Sequence, residues 1–238
     1  MKKYKILLTN DDGIDAVGIK NLEKVLLEYG DVYVYAPIEQ QSAKSCSISC
    51  FLGNAVTKID DHHFGVSGTP VDCVEVGLSL LTNVDIVVSG CNSGFNISSD
   101  ILYSGTCGAA TQGLLGNTKS IAFSIGYSAN KDNILTLAKL AMDYIIEHDL
   151  LSDQYYLNVN LPEADYKDIM ITKLQTDLKE SYYVGQIEDN KYHIYRKRIN
   201  QNTDDISYDY NAVMNGYISI TPIGLLAFDN NSYKKIKK

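Results

Sequence analysis

Residues 4–37 read YKILLTNDDGIDAVGIKNLEKVLLEYGDVYVYAP. The first six, YKILLT (4–9), are an apolar run of strand length. Beyond them Ile19, Leu22, Val25, Leu26 and Tyr29 recur at spacings of three and four, the signature of an amphipathic helix. Gly30 is placed to stop that helix. VYVYAP (32–37) is a second strand, closed by Pro37. Strand, helix and strand within about 35 residues predict a right-handed parallel βαβ unit.

The same alternation continues outward. Thr69 as N-cap, Pro70 at the first helical position and Asp72 at the third predict a helix start. VDIVVSG (84–90), SIAFSI (120–125), YYLNVNLP (155–162) and IMITKL (169–174) read as further strands. Between them GTCGAATQGLLG and the set Ile134, Leu137, Ala138, Ala141 and Ile145 read as helices. Residues 182–198 change character and predict an extended hairpin turning near EDNK, with the basic cluster Arg196-Lys197-Arg198 as a solvated face or an anion-steering patch. An alternating strand follows at 217–221. The expectation is one domain over 1–238: a Rossmann-like, doubly wound, mostly parallel α/β core (1–175), then a C-terminal β-hairpin arm and returning strand (176–238).

Composition narrows the function classes. A net charge of −8 gives no general attraction to nucleic acid or to an anionic membrane, so an anionic substrate would need a local positive charge. No run of 18 apolar residues marks a membrane span. The basic N-terminus lacks a secretory h-region, and five cysteines without a C-x-x-C pair fit reduced thiols in a cytoplasmic protein. The four histidines form no metal-binding pattern, and G-x-G-x-x-G, Walker and G-x-S-x-G motifs are absent.

Ligands of open α/β sheets sit beyond the carboxyl ends of the strands. After the first strand come Asn10, Asp11 and Asp12; after the second, Ser42; after the third, Asn92 and Asn96. Alone, Asp-Asp-Gly reads as a turn. At a strand end, two adjacent carboxylates repel until a cation neutralises them. Asp11, Asp12, Ser42 and Asn92 together offer hard oxygen donors for Mg²⁺, Mn²⁺ or Ca²⁺, with coordination positions left open. Ser104, Gly105 and Thr106 stand where a helix begins, which suits either a phosphate or a plain N-cap.

Taken in order, ILLTNDDGI, AP-x(4)-S (36–42), GTPVDCV (68–74), VSGCNSGFN (88–96), ILYSGTCGAATQG (101–113) and TDDISYDYNAVMNGYISITP resemble the SurE-like survival-protein phosphatases, which are 5′/3′-nucleotidases. The resemblance implies a metal-dependent phosphomonoesterase. It would release phosphate from nucleoside 5′- and 3′-monophosphates, and in some members from short polyphosphate. It implies one divalent metal ion per subunit, Mg²⁺ or Mn²⁺, at Asp11, Asp12, Ser42 and Asn92, and phosphate contacts from Asn96, Ser104, Gly105 and Thr106. It also implies an arm exchanged between subunits of a homodimer or homotetramer. Phe95, Ala43, Lys44, Cys91 and Cys107 depart from the family pattern and bear on substrate preference rather than on the metal site. Asp11 and Asp12 are the catalytic candidates, with Asp11 orienting or deprotonating the attacking water; a covalent aspartyl-phosphate is the rival route. The alternative function is a catalytically silent, nucleotide-binding regulatory protein on the same fold.

Overall fold

A computed structural model describes residues 3–51, 53–163, 165–176, 179–199 and 204–225, without the side chains of 179, 180 and 196–199. The side chains of Arg196, Lys197 and Arg198 therefore lie outside the described residues.

The first strand, β1 (Tyr4–Thr9), is buried on both faces from Ile6 onward. Alternation divides its side chains: Ile6 and Leu8 join one apolar cluster, Leu7 another. Helix α1 (Val17–Leu26) buries Ile19, Leu22, Val25 and Leu26, as the spacing predicts. Gly30 does not end it. The helix stops at Leu26, and Gly30 opens β2 (Gly30–Pro37) instead. A side chain there would place its Cβ 1.8 Å from the Tyr4 carbonyl oxygen, so the glycine serves a close approach of two strands.

The chain then forms two strands that periodicity did not reveal, β3 (Val56–Lys58) and β4 (His63–Val66). Helix α2 (Pro70–Leu80) begins with the expected cap: the Thr69 side chain accepts from the Asp72 N–H, and the Asp72 carboxylate accepts from the Thr69 N–H. Next come β5 (Ile86–Ser93), a 3₁₀ turn (Ser98–Leu102), α3 (Gly105–Leu115), β6 (Lys119–Ile125), α4 (Asn133–Glu147), β7 (Tyr156–Leu161) and β8 (Asp168–Ile171). A hairpin of β9 (Lys179–Glu188) and β10 (Lys191–Ile199) turns at Asp189 and Asn190, whose φ of +61° suits a tight turn. Helix α5 (Asp209–Met214) and β11 (Tyr217–Ile223) complete the described chain.

The nine-stranded sheet runs β3-β4-β2-β1-β5-β6-β7-β11-β8. Pairing is parallel from β4 through β7; β3 and the β7–β11 contact are antiparallel. From β1 the chain winds outward to β2, then crosses to β5 on the other side. This reversal makes a switch point between the carboxyl ends of β1 and β5, where such sheets open a crevice. Helices α1 and α4 pack on one face, α2 and α3 on the other. The hairpin forms a separate two-stranded sheet, while β11 returns between β7 and β8.

Candidate active site

At the switch point lies a cavity of about 570 Å³. Asp11, Asp12, Ser42, Asn92, Asn96 and Ser104 line it, together with the aromatic side chains of Phe95, Tyr103 and Tyr127. The structure thus brings together residues from four separate segments that the sequence singled out.

Asp11 and Asp12 leave the end of β1 in a turn at Gly13, where φ is +102°. The turn is pinned by the Asn10 amide donating to the Gly13 carbonyl and by Ile14 N–H donating to Pro37. The Asp11 carbonyl accepts from Gln41 N–H at 2.7 Å, which holds the segment bearing Ser42 beside the acids. Ser42 Oγ in turn accepts from the Gln40 amide. On the other side, β5 shifts register between Ser89 and Asn92, so Asn92 pairs with Ser124. Gly90 is required there: a Cβ would lie 2.2 Å from the Phe123 carbonyl oxygen. The Asn92 amide nitrogen donates to Gly94, which leaves its oxygen as the atom for a cation.

Asp11 is 4% exposed, and burial pushes its carboxyl up to about 6. The Thr106 hydroxyl opposes the rise by donating to Oδ1 at 2.6 Å, and the neighbouring Asp12 charge adds to it. Asp12 is only half-buried and accepts from Ser93 N–H at 3.1 Å. Asp100 brings a third carboxylate to the wall, and no Lys, Arg or His lines the cavity among the described residues. An acidic crevice on an acidic chain repels phosphate unless a cation enters. The donor set fits a hard divalent ion: two carboxylates, a hydroxyl and an amide oxygen, with water completing the shell. No group of three His, Cys, Asp or Glu suited to a metal occurs among the described residues, so a cation here would draw on neutral oxygens as well.

Ser104 lines the cavity and caps α3, its Oγ accepting from Cys107 N–H at 3.0 Å. Gly105 and Thr106 stand behind Asp11 rather than on the wall. Thr106 is fully buried, and Asp11 Cβ lies 3.0 Å from where a Gly105 Cβ would sit.

Asn96 is held by residues the sequence reading passed over. Its N–H donates to Asn160 Oδ1, its carbonyl accepts from the amides of Asn158 and Asn160, and its own amide donates to Ser124 Oγ. All four side chains are buried. The available signal was the N-x-N in YLNVNL: two polar residues on one face of an otherwise apolar strand.

Residues 6–182 match the family model for survival protein SurE. The chain belongs to the SurE family. It is 37% identical over 249 aligned positions to the 5′-nucleotidase SurE of Geotalea uraniireducens (strain Rf4), covering 98% of each chain. It is 36% identical to the 5′-nucleotidase SurE of Clostridium botulinum (strain 657 / Type Ba4), covering 92% of each. The SurE protein from Aquifex aeolicus superposes with a TM-score of 0.84 at 30% identity, covering 98% of both chains. The SurE fold therefore extends through the hairpin and the returning strand, beyond the residues of the family model.

Proposed function

We propose that this chain is a metal-dependent 5′-nucleotidase, releasing inorganic phosphate from nucleoside 5′-monophosphates, with 3′-monophosphates and short polyphosphate as further substrates. The observation that carries the reading is the pair of adjacent carboxylates, one buried, facing a large cavity whose wall offers no basic side chain among the described residues. The relatives named 5′-nucleotidase SurE support it across nearly the whole chain.

Asp11, Asp12, Ser42 and Asn92 would hold one Mg²⁺ or Mn²⁺ ion per subunit. Such an ion supplies positive charge at the phosphoryl oxygens and lowers the pKa of a bound water. Asn96 and Ser104 contact the remaining phosphoryl oxygens. Thr106 and Gly105 act through Asp11, which they back. Asp11 would orient the attacking water and take its proton; the water oxygen joins phosphorus as the ester oxygen leaves with the nucleoside and takes up a proton from solvent. Phe95, Tyr103 and Tyr127 face the nucleoside end, where aromatic rings suit a base.

No described helix is long and apolar enough to cross a membrane. We place the enzyme in the cytoplasm as a homodimer or homotetramer, with its five cysteines as thiols. The test is phosphate release from nucleoside monophosphates with Mg²⁺ or Mn²⁺ and after exhaustive chelation. Turnover that needs the metal is expected. Activity unchanged by chelation would overturn the metal mechanism, and nucleotide binding without turnover would favour a silent regulatory protein.

A further inference from the structure

Asp209 opens α5 with its side chain wholly buried. An ionised carboxylate tolerates such a place only if hydrogen bonds replace its hydration. Here Oδ2 accepts from Ser98 N–H at 2.8 Å, and Oδ1 accepts from Gln175 N–H at 2.9 Å and Tyr210 N–H at 2.8 Å. Burial pushes the carboxyl up, and these three donors pull it part of the way back. An apolar side chain could fill the same volume, but it would leave three buried N–H groups without an acceptor.

The three donors belong to segments that matter to the site. Ser98 lies two residues beyond Asn96, with φ at +54°, a left-handed conformation that costs a residue with a Cβ. From Ser98 the 3₁₀ turn leads to Leu102 and Tyr103, whose carbonyls accept from the Ser45 hydroxyl and N–H. Ser45 follows closely on Ser42, so the loop bearing that residue leans on the same turn. Gln175 stands just ahead of β9, at the root of the arm. Ile97 packs on Tyr210 and Val213 of α5, with Phe95 against the same cluster. Asn158 and Asn160 hold Asn96 from the sheet side, and Asp209 holds its other flank.

We infer that Asp209 is a positioning residue of the phosphate site: its carboxylate fixes the 96–98 segment, and through it Asn96, against the root of the arm. The inference rests on the phosphohydrolase reading for its catalytic consequence, but the linkage itself does not need turnover.

The test is Asp209→Asn, which keeps the shape and puts an amide N–H where a backbone N–H needs an acceptor. At a temperature where circular dichroism shows it folded, kcat per folded molecule should fall about ten- to a hundredfold. Inhibition by inorganic phosphate should weaken in parallel. Adding Ser98→Gly, which accepts the left-handed conformation without strain, should recover part of the loss. A folded Asp209→Asn with wild-type kcat and phosphate inhibition overturns the inference. A second measurement uses the unaltered chain: hydrogen exchange with and without Mn²⁺ plus inorganic phosphate. Slowing at 96–100 together with 173–176 is expected; slowing confined to 96–100 overturns the linkage. A wild type that hydrolyses nothing, yet shows the paired slowing, sinks the phosphohydrolase reading and leaves the linkage standing.

Discussion

Thr106 shows how one buried hydroxyl can oppose the effect of burial on an acid. Its 2.6 Å bond to Asp11 is among the forces holding that carboxylate down against burial and the Asp12 charge. Hydrogen bonds to charged groups contribute about 1.5–3 kcal/mol. Thr106→Val keeps the volume and removes the donor, so kcat/KM should fall about ten- to a hundredfold, and calorimetry should show Mn²⁺ binding weakened with it. Ser104→Ala removes the α3 cap and a group on the cavity wall. It should cost about 0.5–2 kcal/mol of stability and weaken inhibition by inorganic phosphate, leaving metal affinity near wild type. Equal metal affinity in both variants would show that Thr106 does not act through Asp11. Asp11→Asn and Asp12→Asn relieve the repulsion between the two acids. Each should abolish most turnover while the metal-free melting temperature holds or rises, which calorimetric melts would check.

Helix α2 carries its start within four consecutive residues, and Thr69, Pro70 and Asp72 were legible for that reason: a capping box joins near neighbours in the chain. The Asp72 carboxylate also accepts from Ser49 N–H, 23 residues back, which ties the segment bearing Ser49 to the helix. Burial raises the Asp72 carboxyl, but the backbone N–H groups of Ser49 and Thr69 outweigh it and hold it below its usual value. A depressed folded value means stability present above the unfolded pKa of about 3.9 and lost as the pH falls through the folded one. Melting temperatures of wild type and Asp72→Asn should therefore differ by a constant amount above about pH 5, and the gap should close under stronger acid. A gap that persists at the lowest pH would mean the carboxylate's charge is not what stabilises the start. Strands β3 and β4, Gly30 and the Asn158–Asn160 pair were less legible. Each answers to a partner distant in sequence: β4 to β2, Gly30 to Tyr4, the two asparagines to Asn96. Periodicity reports which face is buried, not what waits on the other side. Asp11 and Asp12 were legible because a strand end is easy to locate; Asn92, read as lying past its strand, falls within β5, and the switch point gathers all three.

The hairpin β9–β10 stands outside the main sheet, and a lone two-stranded hairpin is marginal in water. Tyr183 and Tyr195 stack across it at 5.0 Å, yet Tyr182, Tyr183, Val184, Ile187, Tyr192, Ile194 and Tyr195 remain 37–69% exposed. So large an apolar surface on one small element calls for a partner surface. Nothing in the main sheet pairs with the hairpin among the described residues, so its partner is expected on a second copy of the chain. Exchange of an identical element needs no contact surface beyond one the chain already carries, which makes it an accessible route to a dimer. Replacing 183–195 with a short Gly/Ser linker should shift the protein toward monomer in multi-angle light scattering at micromolar concentration. Because Gln175, at the arm's root, shares Asp209 with the segment that bears Asn96, the shortened chain should also lose turnover while its main sheet still melts cooperatively. A native chain that is monomeric at that concentration, or a shortened chain of unchanged particle mass, would refute the arm as the interface. A shortened monomer with full kcat would separate assembly from catalysis, and the arm would then serve association alone.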